Sequence, residues 1–128
     1  LLVPGAPEQA AARIRAFLKL AARDRLNVAV DRYADLAGRR VSNITLRDTR
    51  SRWGSCTSDG RLMFSWRLIM APPRVLDYVA AHEVAHLVEM NHSPAYWAVV
   101  RRIYPDYEVQ RRWLRAHGQK LHAVRFDD

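Results

Sequence analysis

The sequence is poor in cysteine, in glycine and in long apolar stretches, and each shortage narrows the protein classes it fits. Its single cysteine, Cys56, cannot form an internal disulfide, which is typical of proteins in a reducing cytosol. No uninterrupted apolar run reaches the roughly 18 residues that a membrane-spanning helix needs, and no signal-peptide pattern begins the chain. The five glycines are spread along the chain, so none of them forms the glycine-rich loop with which many nucleotide-binding proteins hold phosphate. We therefore expect a cytoplasmic protein without a membrane partner.

Acidic residues are also scarce relative to basic ones. The chain has 13 Asp and Glu against 21 Lys and Arg, a net charge of +8, and 19 of the 21 basic residues are arginine. This balance is compatible with nucleic acid as a partner and equally with a solvated, arginine-rich surface. The arginines are spread along the chain, which weighs against a dedicated nucleic-acid-binding arm.

The length and apolar content predict one globular domain. With 128 residues, 49% of them hydrophobic, the chain is long enough to build its own core, and we assign residues 1–128 to a single domain. It begins Leu1-Leu2-Val3 without an initiator methionine, as expected for a fragment of a longer protein. The sequence does not indicate an oligomeric state.

The chemistry is concentrated in the run from His82 to His92, which begins His82-Glu83-Val84-Ala85-His86. Residues four apart on a helix share one face, so His82 and His86 can point at one ion. Glu83 lies at the edge of that face, where a carboxylate can contact a water on the metal without ligating it. The pattern therefore predicts a helix that carries two zinc ligands and a general base.

A third ligand on the same helix is excluded by its rise. Glu89 would lie roughly 10 Å along the axis from His82, too far for one ion. Asn91 tolerates the left-handed conformation that ends many helices, and Ser93-Pro94 fits an N-cap and the first position of a new helix. His92 falls between the two helices, where a turn can bring it under the metal. Three imidazoles leave one zinc position open, as in catalytic sites.

The residues around this run argue against isolated histidines. Apolar positions from Val75 to Val88 surround the predicted helix on nearly all sides, so we expect it to be buried. Burying His82, Glu83 and His86 without partners would cost several kcal/mol, on the order of that for any unpaired polar group. A metal ion with its water removes this cost.

The remaining pattern predicts an α+β domain. We expect a long N-terminal helix, or two abutting ones, from Pro7 to Gly38, then strand-like segments between Val41 and Met70. Asp59-Gly60 predicts a hairpin turn in a small, antiparallel-rich sheet. Pro72-Pro73 opens the metal-bearing helix, and two more helices follow over 94–104 and about 106–117, with Gly118 as the stop.

Several motifs together resemble the YgjP-like metallopeptidase domain, a family of predicted zinc-dependent hydrolases related to SprT-like and other small HExxH proteins. Besides the histidine run, the motifs are Arg52-Trp53-Gly54-Ser55-Cys56, Phe64-Ser65-Trp66-Arg67-Leu68-Ile69, Ala71-Pro72-Pro73, Asn91-His92-Ser93-Pro94-Ala95-Tyr96-Trp97 and Pro105-Asp106-Tyr107. The resemblance covers roughly residues 40 to 115 and implies a minimal zincin-like fold. It also implies four roles: metal ligands His82, His86 and His92, and catalytic acid/base Glu83.

The spacing from His86 to His92 also equals that of the metzincins, whose motif is HExxHxxGxxH. This chain departs from that motif, because Glu89 stands where the metzincin turn has glycine. No methionine follows Met90, so a Met-turn is impossible. We therefore expect the third histidine to arrive by a different turn.

The segment from Arg52 to Cys56 is the predicted substrate-binding strand. In small zincins an edge strand beside the metal helix pairs with an extended peptide, and Gly54 would allow close approach of a backbone. Arg52, Trp53, Gly54 and Ser55 are accordingly candidate substrate-binding residues, and Tyr96 is a further one because of its proximity to His92. The alternative is a plain sheet strand with Trp53 in the core. We expect Cys56 to be buried and inert.

The predicted reaction is hydrolysis of a peptide bond with one Zn²⁺ per chain. Zinc lowers the pKa of its bound water toward about 7. Glu83 takes the proton as the water attacks a carbonyl and passes it to the leaving amine. The oxyanion needs a second electrophile. Five residues are candidates for that role: Arg52, Tyr96, Tyr104, Tyr107 and His117.

Three function classes stay open at this point. The first is a zinc metallopeptidase that acts on a peptide or protein substrate. The second is a metal-dependent hydrolase of phosphoanhydrides or nucleotides, in which arginines would replace the missing phosphate loop. The third is a zinc-stabilised nucleic-acid-binding module. An open coordination site and an intact Glu83 favour the enzymes over the third class.

Overall fold

The structure is a computed structural model that describes residues 7–126, so Leu1-Leu2-Val3 lies outside the described residues. The described part of the chain forms four α-helices, three strands and one short 3₁₀ helix, which confirms the α+β class. In chain order they are α1 (Pro7–Ala37), β1 (Asn43–Arg47), β2 (Gly54–Cys56), β3 (Arg61–Ser65), the 3₁₀ helix (Trp66–Met70), α2 (Pro73–Ala85), α3 (Pro94–Ile103) and α4 (Tyr107–Ala123).

The N-terminal helix α1 is one continuous helix of 31 residues rather than two. It begins at Pro7, and Gly38 follows its end with φ +69°, a left-handed conformation that glycine adopts without steric cost. Leu26, Val30 and Tyr33 belong to its buried face, which packs against α2 and the 3₁₀ helix. Within residues 7–126, no helix is both long enough and apolar enough to cross a membrane.

The sheet has the order β1-β3-β2, with β3 in the centre. β2 and β3 form the predicted antiparallel hairpin, whose turn contains Gly60 at φ +91°. β1 pairs with β3 in parallel, so the sheet is mixed, and the expected antiparallel pairing holds for the β2–β3 pair only. β2 lies at an edge of the sheet, so only one of its two sides pairs with another of the described strands.

The helix α2 is the centre of the fold, as its apolar sequence predicts. Nine of its 13 residues are buried, and it contacts α1, α3, α4, β2 and the 3₁₀ helix. Its buried residues are Val75, Leu76, Tyr78, Val79, Ala80, Ala81, Glu83, Val84 and Ala85. The histidine run therefore begins at the end of a helix that packs against the other three helices, the 3₁₀ helix and β2.

Two predicted boundaries are wrong. α2 ends at Ala85 instead of continuing to Asn91. The chain then turns through hydrogen bonds between residues three apart, such as Leu87 N to Val84 O at 2.9 Å. No residue other than glycine has positive φ in the described residues, so Asn91 does not adopt the left-handed conformation. α4 continues through Gly118 to Ala123. Gly118 serves close packing there, since an added Cβ would lie 3.3 Å from the Trp53 ring.

The 3₁₀ helix was not predicted, and it places Arg67 inside the protein. This side chain is 3% exposed, and its Nε donates a hydrogen bond of 2.7 Å to the carboxylate of Asp48. Nη1 donates to the carbonyl oxygens of Leu121 at 2.9 Å and Val124 at 2.6 Å. One buried guanidinium therefore connects the segment after β1 to the end of α4.

Replacing Arg67 by alanine should destabilise the fold. The change leaves the Asp48 carboxylate and two carbonyl oxygens without their donor, at an expected cost of about 3 kcal/mol in the free energy of unfolding measured by urea denaturation. The hydrogen bond with Arg67 lowers the pKa of Asp48. Its contribution is therefore complete above the ordinary carboxyl pKa of about 4 and lost as pH falls below it, so the difference between wild type and Arg67→Ala should shrink in acid.

The matched control is Arg61→Ala. Arg61 also pairs with an aspartate, Asp59, but both side chains are more than 60% exposed. Such pairs contribute little to stability, so the control should unfold like wild type. Equal stability of both variants would contradict the role assigned to Arg67.

Candidate metal centre

Three histidines converge at the end of α2. His82 lies in the last turn of α2, His86 is its C-cap residue, and His92 follows in the loop before α3. Their ligand nitrogens all lie within 4.8 Å of one another, and Nε2 of His86 and Nε2 of His92 are 3.1 Å apart. Two ligands of a tetrahedral zinc ion lie about 3.3 Å apart, given Zn–N distances of about 2.0–2.1 Å. The three side chains therefore fit a single metal ion.

Two of the rings are oriented through their second nitrogen. Nδ1 of His82 lies 3.2 Å from the hydroxyl of Tyr78, and Nδ1 of His86 lies 3.2 Å from the carbonyl oxygen of Glu89. A carbonyl only accepts, so Nδ1 of His86 carries the proton and Nε2 is free as a ligand. Such outer hydrogen bonds are typical of metal-binding histidines because they fix the tautomer and the ring orientation.

Tyr96 lies behind the histidines, in the core of the protein. It is fully buried, its hydroxyl donates a hydrogen bond of 2.8 Å to the carbonyl oxygen of His82, and its ring stacks on His86 at 4.5 Å. Ser93 is the N-cap of α3, as predicted, and accepts a hydrogen bond from Tyr96 N. The geometry supports a structural role for Tyr96 beneath the metal site, in place of the predicted substrate contact.

Glu83 is 5% exposed and lies next to Gly54 of β2. A Cβ added to Gly54 would lie 2.9 Å from Cγ and 3.0 Å from Oε2 of Glu83, so only glycine leaves room for this carboxylate. We predicted that Gly54 lets a substrate backbone approach closely. In the structure, the absence of a side chain at Gly54 makes room for the side chain of Glu83.

Burial sets the protonation of the site. It lowers the pKa of His82 to about 3, and the charges of the other two histidines and of Arg111 act in the same direction. The imidazole of His82 is therefore neutral, as a metal ligand must be. Burial raises the pKa of Glu83 to about 8, opposed by the charge of Arg52. A positive ion among the histidines would favour the ionised form of Glu83.

A cavity of about 480 Å³ opens in front of these residues. Arg52, Trp53, Gly54 and Ser55, the predicted substrate-binding residues of the 52–56 segment, all line it. The other lining residues are Cys56, Tyr78, Val79, His82, Glu83, His86, Met90, His92, Arg111, Leu114 and Arg115. The segment therefore lies beside the histidines, as predicted, although Trp53 also stacks on His122 with ring centroids 4.0 Å apart.

Most candidates for the oxyanion role lie outside this cavity. The hydroxyl of Tyr104 donates to the carbonyl oxygen of Arg74, Tyr107 stacks on Trp97, and His117 packs against Trp113. Of the five predicted candidates, Arg52 alone lines the cavity. Cys56 lines it too and is half-buried rather than buried. Burial raises the pKa of its thiol to about 11, which keeps it protonated and a poor nucleophile.

Three polar residues of the cavity were missed by the sequence reasoning. Tyr78 lies one helical turn before His82, so the spacing of four could have revealed it. Arg111 and Arg115 come from α4, 29 and 33 residues after His82, and no local pattern connects them to the site. Their position follows only from the packing of α4 on α2.

Comparison with known proteins connects this geometry to a family. A family model described as "YgjP-like, metallopeptidase domain" matches residues 1–117. Among solved structures, the crystal structure of the metallopeptidase zymogen abylysin from Pyrococcus abyssi is similar, with a TM-score of 0.63 and 17% sequence identity. The match covers 73% of this chain and 96% of that one, and at this identity it shows a shared fold. A search of curated proteins gave no match.

Replacing His92 by alanine should remove the metal. We expect about one metal ion per chain for wild type and a clear loss for the variant, because two imidazoles hold an ion much more weakly than three. Inductively coupled plasma mass spectrometry on protein prepared in metal-free buffer measures this. His117→Ala is the control, since His117 lies outside the cavity. Full metal retention by His92→Ala would place the third ligand elsewhere.

Proposed function

Since this chain belongs to the YgjP-like metallopeptidase family, we propose that it is a zinc-dependent peptidase with Glu83 as its general base. The observation that carries the proposal is the convergence of three histidine nitrogens within 4.8 Å of one another in a cavity that Glu83 also lines. Glu83 is the single carboxylate among the described residues that line this cavity. A protein that used the metal only to hold its fold would not need a free carboxylate there.

The donor set supports zinc as the metal. Three neutral imidazoles are a common ligand set of catalytic zinc sites, and they leave a coordination position open. His82, His86 and His92 would hold the ion, one per chain. When bound, zinc supplies a Lewis acid that polarises a carbonyl group and lowers the pKa of water.

Glu83 would handle the protons of the reaction. Its carboxylate accepts a proton as a water oxygen forms a bond to the carbonyl carbon of the scissile peptide. It then donates that proton to the amide nitrogen as the carbon–nitrogen bond breaks, which releases an amine and a carboxylic acid. The close contact with Gly54 restricts the position of Glu83, and burial strengthens its affinity for the proton.

Arg52 is the best placed residue to stabilise the oxyanion. It lines the cavity, and its charge acts on Glu83, so the guanidinium lies near the reacting carboxylate. Tyr78 is better suited to orient His82, because its hydroxyl lies 3.2 Å from Nδ1 of that ring. Donors preorganised for a developing negative charge are usually a large source of rate enhancement.

The edge strand β2 is the proposed binding site for an extended peptide. Trp53 O accepts a hydrogen bond from Ser65 N, and Thr57 N donates to Arg61 O, so these residues turn their backbone groups toward β3. In an antiparallel pair the direction alternates, so the N–H and C=O groups of Gly54 and Cys56 point to the free edge. A peptide added at this edge would lie along the cavity that holds Glu83.

A single cysteine with a protonated thiol supports a further proposal, that the protein works in the cytoplasm, where thiols stay reduced.

Glu83→Gln should retain metal but lose catalysis. The amide keeps the size of the side chain and cannot accept the proton, so we expect kcat for peptide cleavage to fall by about 100-fold or more, the usual effect of removing a general base. Metal content and peptide turnover are measured on the same preparation. Glu89→Gln is the control, because the Glu89 side chain is exposed and lies outside the cavity. Unchanged activity in Glu83→Gln would refute the general-base role.

Cys56→Pro tests the edge strand. Proline removes an N–H group that points away from β3, a position that edge strands tolerate, so the protein should fold. A peptide that pairs with this N–H would lose a hydrogen bond, and we expect kcat/KM to fall about tenfold, measured with circular dichroism as the check on folding. Cys56→Ala separates loss of the thiol from loss of the N–H and should cleave normally. Equal activity of both variants would exclude pairing at Cys56.

A second candidate is a metal-dependent phosphoanhydride or nucleotide hydrolase. Three arginines in the cavity favour it, since guanidinium groups bind phosphate oxygens in pairs. Turnover of a peptide library and of nucleoside triphosphates at the same metal load distinguishes the two enzymes. Binding to nucleic acid, suggested by the net charge of +8, stays a prediction, and it would show as a salt-dependent affinity of Glu83→Gln protein for DNA.

A further inference from the structure

Three arginines, here called the arginine cluster, line the cavity beside the histidines: Arg52, Arg111 and Arg115. Arg52 lies just before β2. Arg111 and Arg115 are four residues apart on α4 and therefore share one face of that helix. Leu114, between them, lines the cavity as well, so this face of α4 forms one wall of it.

No carboxylate forms an ion pair with the arginine cluster within the described residues. The four ion pairs found there use other arginines, namely Arg25, Arg50, Arg61 and Arg67. Among residues 7–126, the three guanidinium groups of the cluster donate no hydrogen bond to another protein group. Glu83 is the cavity's one acid and would face a positive ion. The cavity therefore has an excess of positive charge and several unused N–H donors.

The position of Arg111 suits recognition of a planar anion. Its guanidinium carbon lies 4.7 Å from the ring centroid of Trp97, which in turn stacks on Tyr107. Stacking on an aromatic face restrains the guanidinium and leaves its edges free to donate paired hydrogen bonds.

The rest of the wall favours a ligand with an apolar part. Trp53, Val79 and Leu114 line the same cavity as the cluster. An acidic residue in a peptide combines both properties, since its methylene groups are apolar and its carboxylate is planar. A basic side chain would meet the repulsion of three guanidinium groups in the same space.

We propose that the arginine cluster selects peptides with a carboxylate close to the scissile bond. This inference rests on the proposed peptidase function and names the class of its substrate. An acidic side chain and a C-terminal carboxylate share the chemistry that the cluster recognises, and they differ in whether the enzyme cuts within a chain or at its end. Salt should weaken the preference, because exposed charges are screened.

The test compares matched peptides on zinc-loaded protein. One pair carries Glu or Gln at each position that flanks the cleaved bond, and a second pair ends in a free carboxylate or an amide. Wild type, Arg115→Gln and Arg111→Gln/Arg115→Gln are compared with Arg112→Gln. Arg112 is the control because it lies on the same helix outside this cavity, where its Nε donates to the carbonyl oxygen of Glu108. Arg115 is exposed, so its single variant should fold even if the double variant does not.

We expect wild type and Arg112→Gln to cleave the acidic member of one pair with about tenfold higher kcat/KM, the usual effect of hydrogen bonds to a charged group. Arg115→Gln should reduce this ratio, and the double variant should bring it close to one, while the zinc content of both variants stays that of wild type. The pair that shows the effect identifies a side-chain or a C-terminal carboxylate as the group recognised.

Binding of the same peptides to Glu83→Gln protein is measured by fluorescence anisotropy. It distinguishes failure of the proposed selectivity from failure of the proposed peptidase function. Cleavage of peptides with equal kcat/KM for acidic and neutral members would overturn the selectivity and leave the peptidase proposal intact. Preferential binding of acidic peptides without any cleavage by wild type would overturn the peptidase proposal and leave the cluster's selectivity. Turnover of nucleoside triphosphates with no peptide bound would overturn both.

Discussion

The structure depends on one constraint: polar groups that can bind a metal lie at the end of a helix that the fold buries on nearly all sides. His82 and Glu83 sit in α2, where unpartnered imidazole and carboxylate groups are costly. Side chains of the surrounding elements reduce this cost by hydrogen bonding. Tyr78 contacts one imidazole nitrogen, Tyr96 satisfies the backbone of His82, and the remaining nitrogens face a common point. The same burial that makes these groups expensive restricts their positions, and it keeps the imidazole of His82 in the neutral form that a metal ligand needs.

The close contact between sheet and helix follows from the same constraint. Gly54 of β2 has no side chain at the one place where Glu83 needs room, and the strand can therefore lie directly against α2. The carboxylate, the free edge of the sheet and the histidines then share one cavity. A second glycine, Gly118, allows the corresponding contact between α4 and Trp53. Both glycines act through close packing, with no need for a special backbone conformation.

The likeness to abylysin, at 17% identity, illustrates how few residues such a fold requires. Core positions accept any apolar side chains of suitable volume, so a shared arrangement of helices and strands outlasts most of the sequence. The charges that line a cavity are not constrained by the fold in this way. The arginines of α4 are for that reason informative about the ligand of this chain, whereas the helices that carry them are informative about its architecture.

The sequence alone determined the features that depend on residues close together in the chain. Pro7 and Gly38 mark the ends of α1, Asp59-Gly60 marks the hairpin, and the His82–His92 run specifies where a metal would bind. The tertiary structure alone decided the parallel pairing of β1, the continuation of α4 past Gly118 and the arrival of its arginines in the cavity. Periodicity and capping are local effects within one or two helical turns. Strand order, and which helix faces a site, depend instead on packing between segments tens of residues apart, for which a single sequence carries no local signal.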